Sequence, residues 1–138
     1  MCIRLCFLAS LIWYGSFPLT ADILYSTPDL GTLGGCCSFG NSLNNAGQVV
    51  GVFYTSDYLS RAFLYSNGQM TDLSTLGDSS GGEAINSTGQ IVGSFTPTPV
   101  GTPRAFLYNS GQMTDLNDFI DPALRITLTY ATAINDQG

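Results

Sequence analysis

Arg61-Ala62-Phe63-Leu64-Tyr65-Ser66-Asn67-Gly68-Gln69-Met70-Thr71-Asp72-Leu73 decides the fold. The stretch returns 43 residues later, over Arg104–Leu116, with eleven of its thirteen positions identical. Two apolar runs flank Asn67-Gly68, a dipeptide that tolerates positive φ at both positions and closes two-residue hairpins. In the first run Ala62 and Leu64 fall on one face of a strand, and Phe63 and Tyr65 on the other. Both faces are apolar, as expected of a strand in a sheet covered on both sides.

A second block recurs outward from this one. Leu43-Asn44-Asn45-Ala46-Gly47-Gln48-Val49-Val50-Gly51 matches Ile85-Asn86-Ser87-Thr88-Gly89-Gln90-Ile91-Val92-Gly93, and Ile134-Asn135-Asp136-Gln137-Gly138 begins it again. Asp29, Asp72 and Asp115 keep the same spacing of 43. A period of this length means stacked supersecondary units, none of which buries its apolar faces alone. Each unit predicts four short strands. The first lies near Phe39–Leu43, echoed by Glu83–Ile85, and the second over Gln48–Tyr54, echoed by Gln90–Phe95. The third covers Arg61–Tyr65, echoed by Arg104–Tyr108, and the fourth Met70–Leu73, echoed by Met113–Leu116. The expected fold is all-β: tandem four-stranded repeats of about 43 residues, packed as β-propeller-like blades in an incomplete arc. A β-solenoid is the alternative, although its repeats are usually shorter.

The chain has 138 residues, four Arg, no Lys, no His and ten acidic residues, for a net charge of -6. So few cations make a poor partner for nucleic acid, whose affinity rests on phosphate neutralisation, and for an anionic membrane surface. Without His the chain lacks the commonest general base and metal ligand, which excludes Ser-His-Asp and Cys-His triads and His-bearing zinc sites. Charged residues make up only 10% of the sequence; Ser, Thr, Asn, Gln and 16 Gly carry the polar load, a composition suited to short strands and many turns.

The N-terminus reads as a secretory signal peptide over residues 1–21. Arg4 supplies a charged start, Leu5–Phe17 an apolar run, Pro18 a break, and Ala21 a small residue at the cut, so that the mature chain begins near Asp22. The run falls short of the roughly 20 residues of a membrane span. The expected protein is therefore secreted, with a repeat domain over residues 22–138 holding about 2.7 units, the third unit truncated. Its open edge strand predicts marginal stability or self-association, and a fragment of a longer exported repeat protein is one reading of it. Cys2 and Cys6 leave with the signal; Cys36 and Cys37 remain, as incidental loop thiols or as an intermolecular bridge, because neighbouring Cα atoms stand only about 3.8 Å apart, too close for an ordinary disulfide between them.

These blocks resemble the HAF-family extracellular repeat of bacterial secreted proteins, named for a His-Ala-Phe triplet. Asp29-Leu30-Gly31-Thr32-Leu33-Gly34-Gly35 matches the family's first segment, Leu43–Gly51 and Ile85–Gly93 its second, and Arg61–Tyr65 and Arg104–Tyr108 its third. Arg stands in place of the family's His both times. The resemblance implies export and repeat architecture and carries no activity.

Residues shared by the copies are expected to serve the fold. Asp72 and Asp115 sit at strand ends, where a carboxylate accepts local backbone hydrogen bonds, and Arg61 and Arg104 are their natural partners. Function is expected where copies differ. Glu83 is the sole Glu and aligns with Asn41; Asp118 and Asp121 lie in a longer connection of the third copy, beside Asn117. These three carboxylates are the candidate ligand contacts; Asp118 and Asp121, with Asn117, read as glycosidase acids or calcium ligands, against a solvated turn before Pro122. Tyr54, Tyr58 and Tyr65 offer stacking faces to sugars, or simply pack. The expected function is a structural or binding role without catalysis, cofactor or metal; a carbohydrate-active hydrolase using Asp and Glu is the alternative.

Overall fold

The computed structural model describes residues 29–74 and 76–138. The segment expected as a signal peptide, its expected cut near Asp22, and Cys2 and Cys6 lie outside the described residues. The described chain is all-β: two four-stranded antiparallel sheets, neither of them closed. The first sheet runs in order β1 (Cys37–Leu43), β2 (Val49–Tyr54), β3 (Ser60–Ser66) and β4 (Gln69–Asp72). The second repeats it as β5 (Ser79–Ile85), β6 (Ile91–Thr96), β7 (Arg104–Asn109) and β8 (Gln112–Asp115).

The hairpins form where turn chemistry directs. Asn67 and Gly68 take φ of 53° and 81°, and Ser110 and Gly111 take 52° and 88°. These left-handed pairs match the twist of the flanking strands. Between β1 and β2, Asn44 Oδ1 accepts the backbone N–H groups of Ala46 and Gln48, both at 3.1 Å. Asn86 does the same for Thr88 and Gln90 between β5 and β6, at 3.1 and 2.9 Å.

The first strand of each unit begins earlier than the sequence pattern indicates, at Cys37 and at Ser79. The added residues are Cys, Ser and Gly, which carry no apolar alternation. They are recruited by the ladder itself, pairing Cys37 with Tyr54 and Ser79 with Thr96. Both strands also carry a bulge. Register shifts between Gly40 and Ser42 and between Gly82 and Ala84, so Asn41 and Glu83 are the extra, unpaired residues.

Register assigns the faces. On one face of the first sheet stand Val49, Phe53, Phe63, Tyr65 and Met70; on the other, Val50, Ala62 and Leu64. The second sheet turns its own large face, with Ile91, Phe95, Phe106 and Met113, onto the small face of the first, where Val50, Ala62 and Leu64 meet it. Leu73 completes this core from the connection between sheets. The large face of the first sheet has Leu30 in the matching place, packed with Phe53, Phe63 and Met70. The recurring Asp-Leu pair thus supplies one apolar plug per unit. Phe63 and Phe106 are fully buried, and such a side chain stabilises the fold by about 1.5–3 kcal/mol. Strand β5 lies across β1, β2 and β3, which places its bulge at the seam between the sheets.

Candidate functional site

The seam opens into a polar cleft of about 220 Å³, lined from β1, β2, β3, β5, β6 and the C-terminal segment. Glu83 enters it from the bulge of β5 and Asn41 from the bulge of β1. The equivalent positions of two units are thereby brought to one place. Asn41 is committed to structure: its Nδ2 donates to the Gly82 carbonyl at 2.9 Å, tying β1 to β5. A carboxylate is acceptor-only and cannot repeat that bond. Glu83 therefore makes no such tie; its half-buried side chain lines the cleft and has no hydrogen-bond partner among the described residues. Around it stand the hydroxyls of Ser60, Ser79, Ser94 and Thr96. Tyr54 and Tyr130 also line it, Tyr54 standing edge-on to Phe39 with ring centroids 6.3 Å apart.

Asp118 and Asp121 are not brought to this cleft. Both are exposed in the connection after β8, Asp118 within a 3-10 turn over Leu116–Phe119 and Asp121 before a second over Pro122–Leu124. Asp121 Oδ1 caps that second turn by accepting the Ala123 N–H at 2.9 Å. Asn117, placed beside them by sequence, works elsewhere: its Nδ2 donates to the Leu128 carbonyl at 3.0 Å and its Oδ1 accepts the Leu128 N–H at 2.7 Å. The amide thus clamps the returning chain against β7. Among the described residues no group of three or more His, Cys, Asp or Glu is placed to hold a metal ion. Of the tyrosines, Tyr58 is exposed in the β2–β3 turn and Tyr65 packs in the core.

Asp72 and Asp115 close strand ends, and Asp29 makes the matching local bond ahead of β1. Asp29 Oδ1 accepts the Gly31 N–H, Asp72 Oδ1 the Ser74 N–H and Asp115 Oδ1 the Asn117 N–H, at 2.9, 2.8 and 2.8 Å. Arg61 pairs with Asp72 at 3.9 Å, and Arg104 pairs closely with Asp115. Burial pushes the Asp115 carboxyl up, but hydrogen bonds from the Asn117 side chain and backbone, together with the Arg104 guanidinium, outweigh it and hold the carboxyl below its usual range.

Sequence reasoning missed an asparagine relay between units. Asn44 Nδ2 donates to the Asn86 carbonyl and Asn86 Nδ2 to the Asn135 carbonyl, each at 3.0 Å. Its signal was the return of Asn with Gln four residues on, at Asn44 and Gln48 and again at Asn86 and Gln90. A second, apolar cleft of about 310 Å³ separates β6 and β7 from the segment carrying Ala131 and Ile134.

The chain matches no protein-family model, no curated protein and no solved structure.

Proposed function

We propose that this chain is an exported binding module whose four-stranded units are β-propeller-like blades, and that the cleft around Glu83 takes a polyhydroxylated ligand such as an oligosaccharide. The observation that carries this reading is the Asn-to-Glu difference at the bulge. One unit uses the position to tie itself to its neighbour; the next places there an acceptor-only group on an open, hydroxyl-lined cleft to which two tyrosines also contribute. A carboxylate with neutral hydroxyls suits sugar hydroxyls, and tyrosine faces suit the apolar side of a pyranose. Glycosidases set two carboxyls across the scissile bond, and this lining offers one, which favours binding over hydrolysis. The resemblance to HAF-type repeats supports export.

The test is calorimetric titration of the purified chain with neutral and amino-substituted oligosaccharides. Glu83→Gln is expected to weaken binding about tenfold or more, the worth of a hydrogen bond to a charged group. Failure of every oligosaccharide to bind, or equal binding by Glu83→Gln, overturns the assignment. A second reading, self-association, is favoured by the exposure of Phe119, Leu124, Ile126 and Tyr130 along the segment after β8. Light scattering over a concentration series tests it, and a monomer throughout overturns it.

A further inference from the structure

Cys36 and Cys37 stand where β1 begins, with their Sγ atoms 2.9 Å apart and hydrogen-bonded to each other. Sequence alone makes them incidental loop thiols or partners in an intermolecular bridge, since neighbouring Cα atoms stand too close for an ordinary disulfide between them. Here Cys36 lies in the bend that leads into the strand, while Cys37 is the strand's first residue, paired with Tyr54. The bend turns the two side chains toward one another. Thr32 accepts the Gly35 N–H at 3.0 Å and Gly31 accepts the Ser38 hydroxyl at 2.7 Å, fixing the chain on both sides of the pair. Cys36 is exposed, so small molecules in solution reach it.

We propose that Cys36 and Cys37 form a thiol–disulfide exchange site, at which a low-molecular-weight disulfide such as glutathione disulfide closes the pair into a vicinal disulfide. The Cys36 thiolate attacks one sulfur of the small disulfide, whose S–S bond breaks. The first thiolate leaves and takes up a proton, and Cys36 holds the other half as a mixed disulfide. Cys37 then loses its proton and attacks the Cys36 sulfur, releasing the second small thiol. The pair has given up two electrons and two protons, and one disulfide has become two thiols. The division of roles follows from access and from the shared hydrogen bond. The Cys36 side chain's hydrogen bond, burial and the Cys36 charge all push the Cys37 thiol up, which keeps the remaining proton on the less exposed sulfur.

The ring that results is strained. An S–S bond is about 2.05 Å long, so the sulfurs must close from 2.9 Å. The Cα atoms stand about 3.8 Å apart, below the usual range for a disulfide. Strained and exposed disulfides are the readily reduced ones. The site is therefore reversible and distinct from a structural clip.

The experiment uses the full chain with Cys2→Ser and Cys6→Ser, reduced and then exposed to graded mixtures of glutathione and glutathione disulfide. The expected product is a peptide holding both Cys36 and Cys37 that has lost two hydrogen atoms, with two glutathione thiols appearing for each disulfide consumed. Dithiothreitol restores it. Cys37→Ser, or Cys37→Ala should the first fold poorly, is expected to stop at the mixed disulfide on Cys36 and to accumulate about ten times more of it than the intact pair. A stable glutathione adduct on the intact pair, a disulfide between two chains, or no reaction at all overturns the proposal.

Discussion

Replacing Asn86 by Ala is expected to cost about 3 kcal/mol of folding stability. Asn86 is 3% exposed and its side chain joins three things. Its Oδ1 holds the Thr88 and Gln90 N–H groups of the β5–β6 turn, at 3.1 and 2.9 Å. Its Nδ2 reaches the Asn135 carbonyl of the next unit at 3.0 Å. The Asn86 side chain also accepts from the Thr88 hydroxyl at 2.8 Å and donates to the Gln90 amide oxygen at 2.7 Å, and these two side-chain partners can turn to other groups when Asn86 is truncated. Each of the other three is worth about 1 kcal/mol net, and more where the partner is left buried without a substitute. A domain of this size has about 5–15 kcal/mol in all, so the loss is a large fraction. Urea unfolding followed by far-ultraviolet circular dichroism reads it. With a slope of about 1–3 kcal/mol per molar, the midpoint falls by about 1–3 M. Asn44→Ala, which breaks the same set one unit earlier, is expected to behave alike. Asn45→Ala, exposed and free of such bonds, serves as the control and stays within about 0.5 kcal/mol of the parent. Asn86→Asp keeps the acceptor for the turn but sets a carboxylate against the Asn135 carbonyl, and falls between the two. An Asn86→Ala midpoint equal to that of Asn45→Ala would refute the relay as a source of stability.

Other perturbations test other parts of the structure. Gly93→Ala sets a methyl group into the Gly81 carbonyl oxygen, and Gly51→Ala sets one into Phe39, so both are expected to prevent soluble expression, seen by fractionating lysates. Asn41→Ala costs about 1 kcal/mol through its lost bond to Gly82, whereas Glu83→Gln leaves the unfolding midpoint unchanged; a reversed order would place Glu83 in the scaffold. The depressed Asp115 carboxyl binds its proton more weakly folded than unfolded. It therefore adds stability above about pH 4 that is lost as pH falls through its lower folded value. The midpoint difference between pH 7 and pH 3 is expected to shrink in Asp115→Asn, and an unchanged difference would show that the carboxylate contributes nothing there.

Most of the strand plan was legible because the repeat prints it twice. The hairpin at Asn67-Gly68 and the apolar faces of β3 and β7 follow from alternation and recurrence, whereas Leu73, expected as the end of the fourth strand, lies just past β4 and plugs the core from the connection. The starts of β1 and β5 were not legible, because Cys37 and Ser79 join their sheets through backbone pairing that no side-chain pattern announces. The difference between Asn41 and Glu83 was visible as a mismatch between copies. That both sit on bulges at one seam was not, because a bulge leaves no mark in so short a Gly-rich strand. Asp118, Asp121 and Asn117 are neighbours along the chain with separate tasks in space: one exposed, one capping a turn and one clamping Leu128.

Why the units stack in one direction follows from the unequal faces of each sheet. Val50, Ala62 and Leu64 present a shallow surface, and Phe95, Phe106 and Met113 a deep one that fills it. Large face on large face would overfill the space between sheets, and small on small would leave it hollow. The contact is therefore head to tail, and an interface of that kind repeats until it closes a ring or runs on as an open array. The segment after Leu128 obeys the same rule. The Ala105 N–H donates to the Leu128 carbonyl at 2.8 Å, where its counterpart, the Ala62 N–H, donates to the Ser80 hydroxyl at 3.0 Å. The Asn86 relay reaches Asn135 as the Asn44 relay reaches Asn86. Residues Leu128 to Asn135 thus lie over β6 and β7 as β5 lies over β2 and β3, yet they form no sheet of their own. Contacts between units, the Ala105 and Ala131 N–H bonds and the Asn86 relay, thus hold this segment on the path that β5 follows over the first sheet.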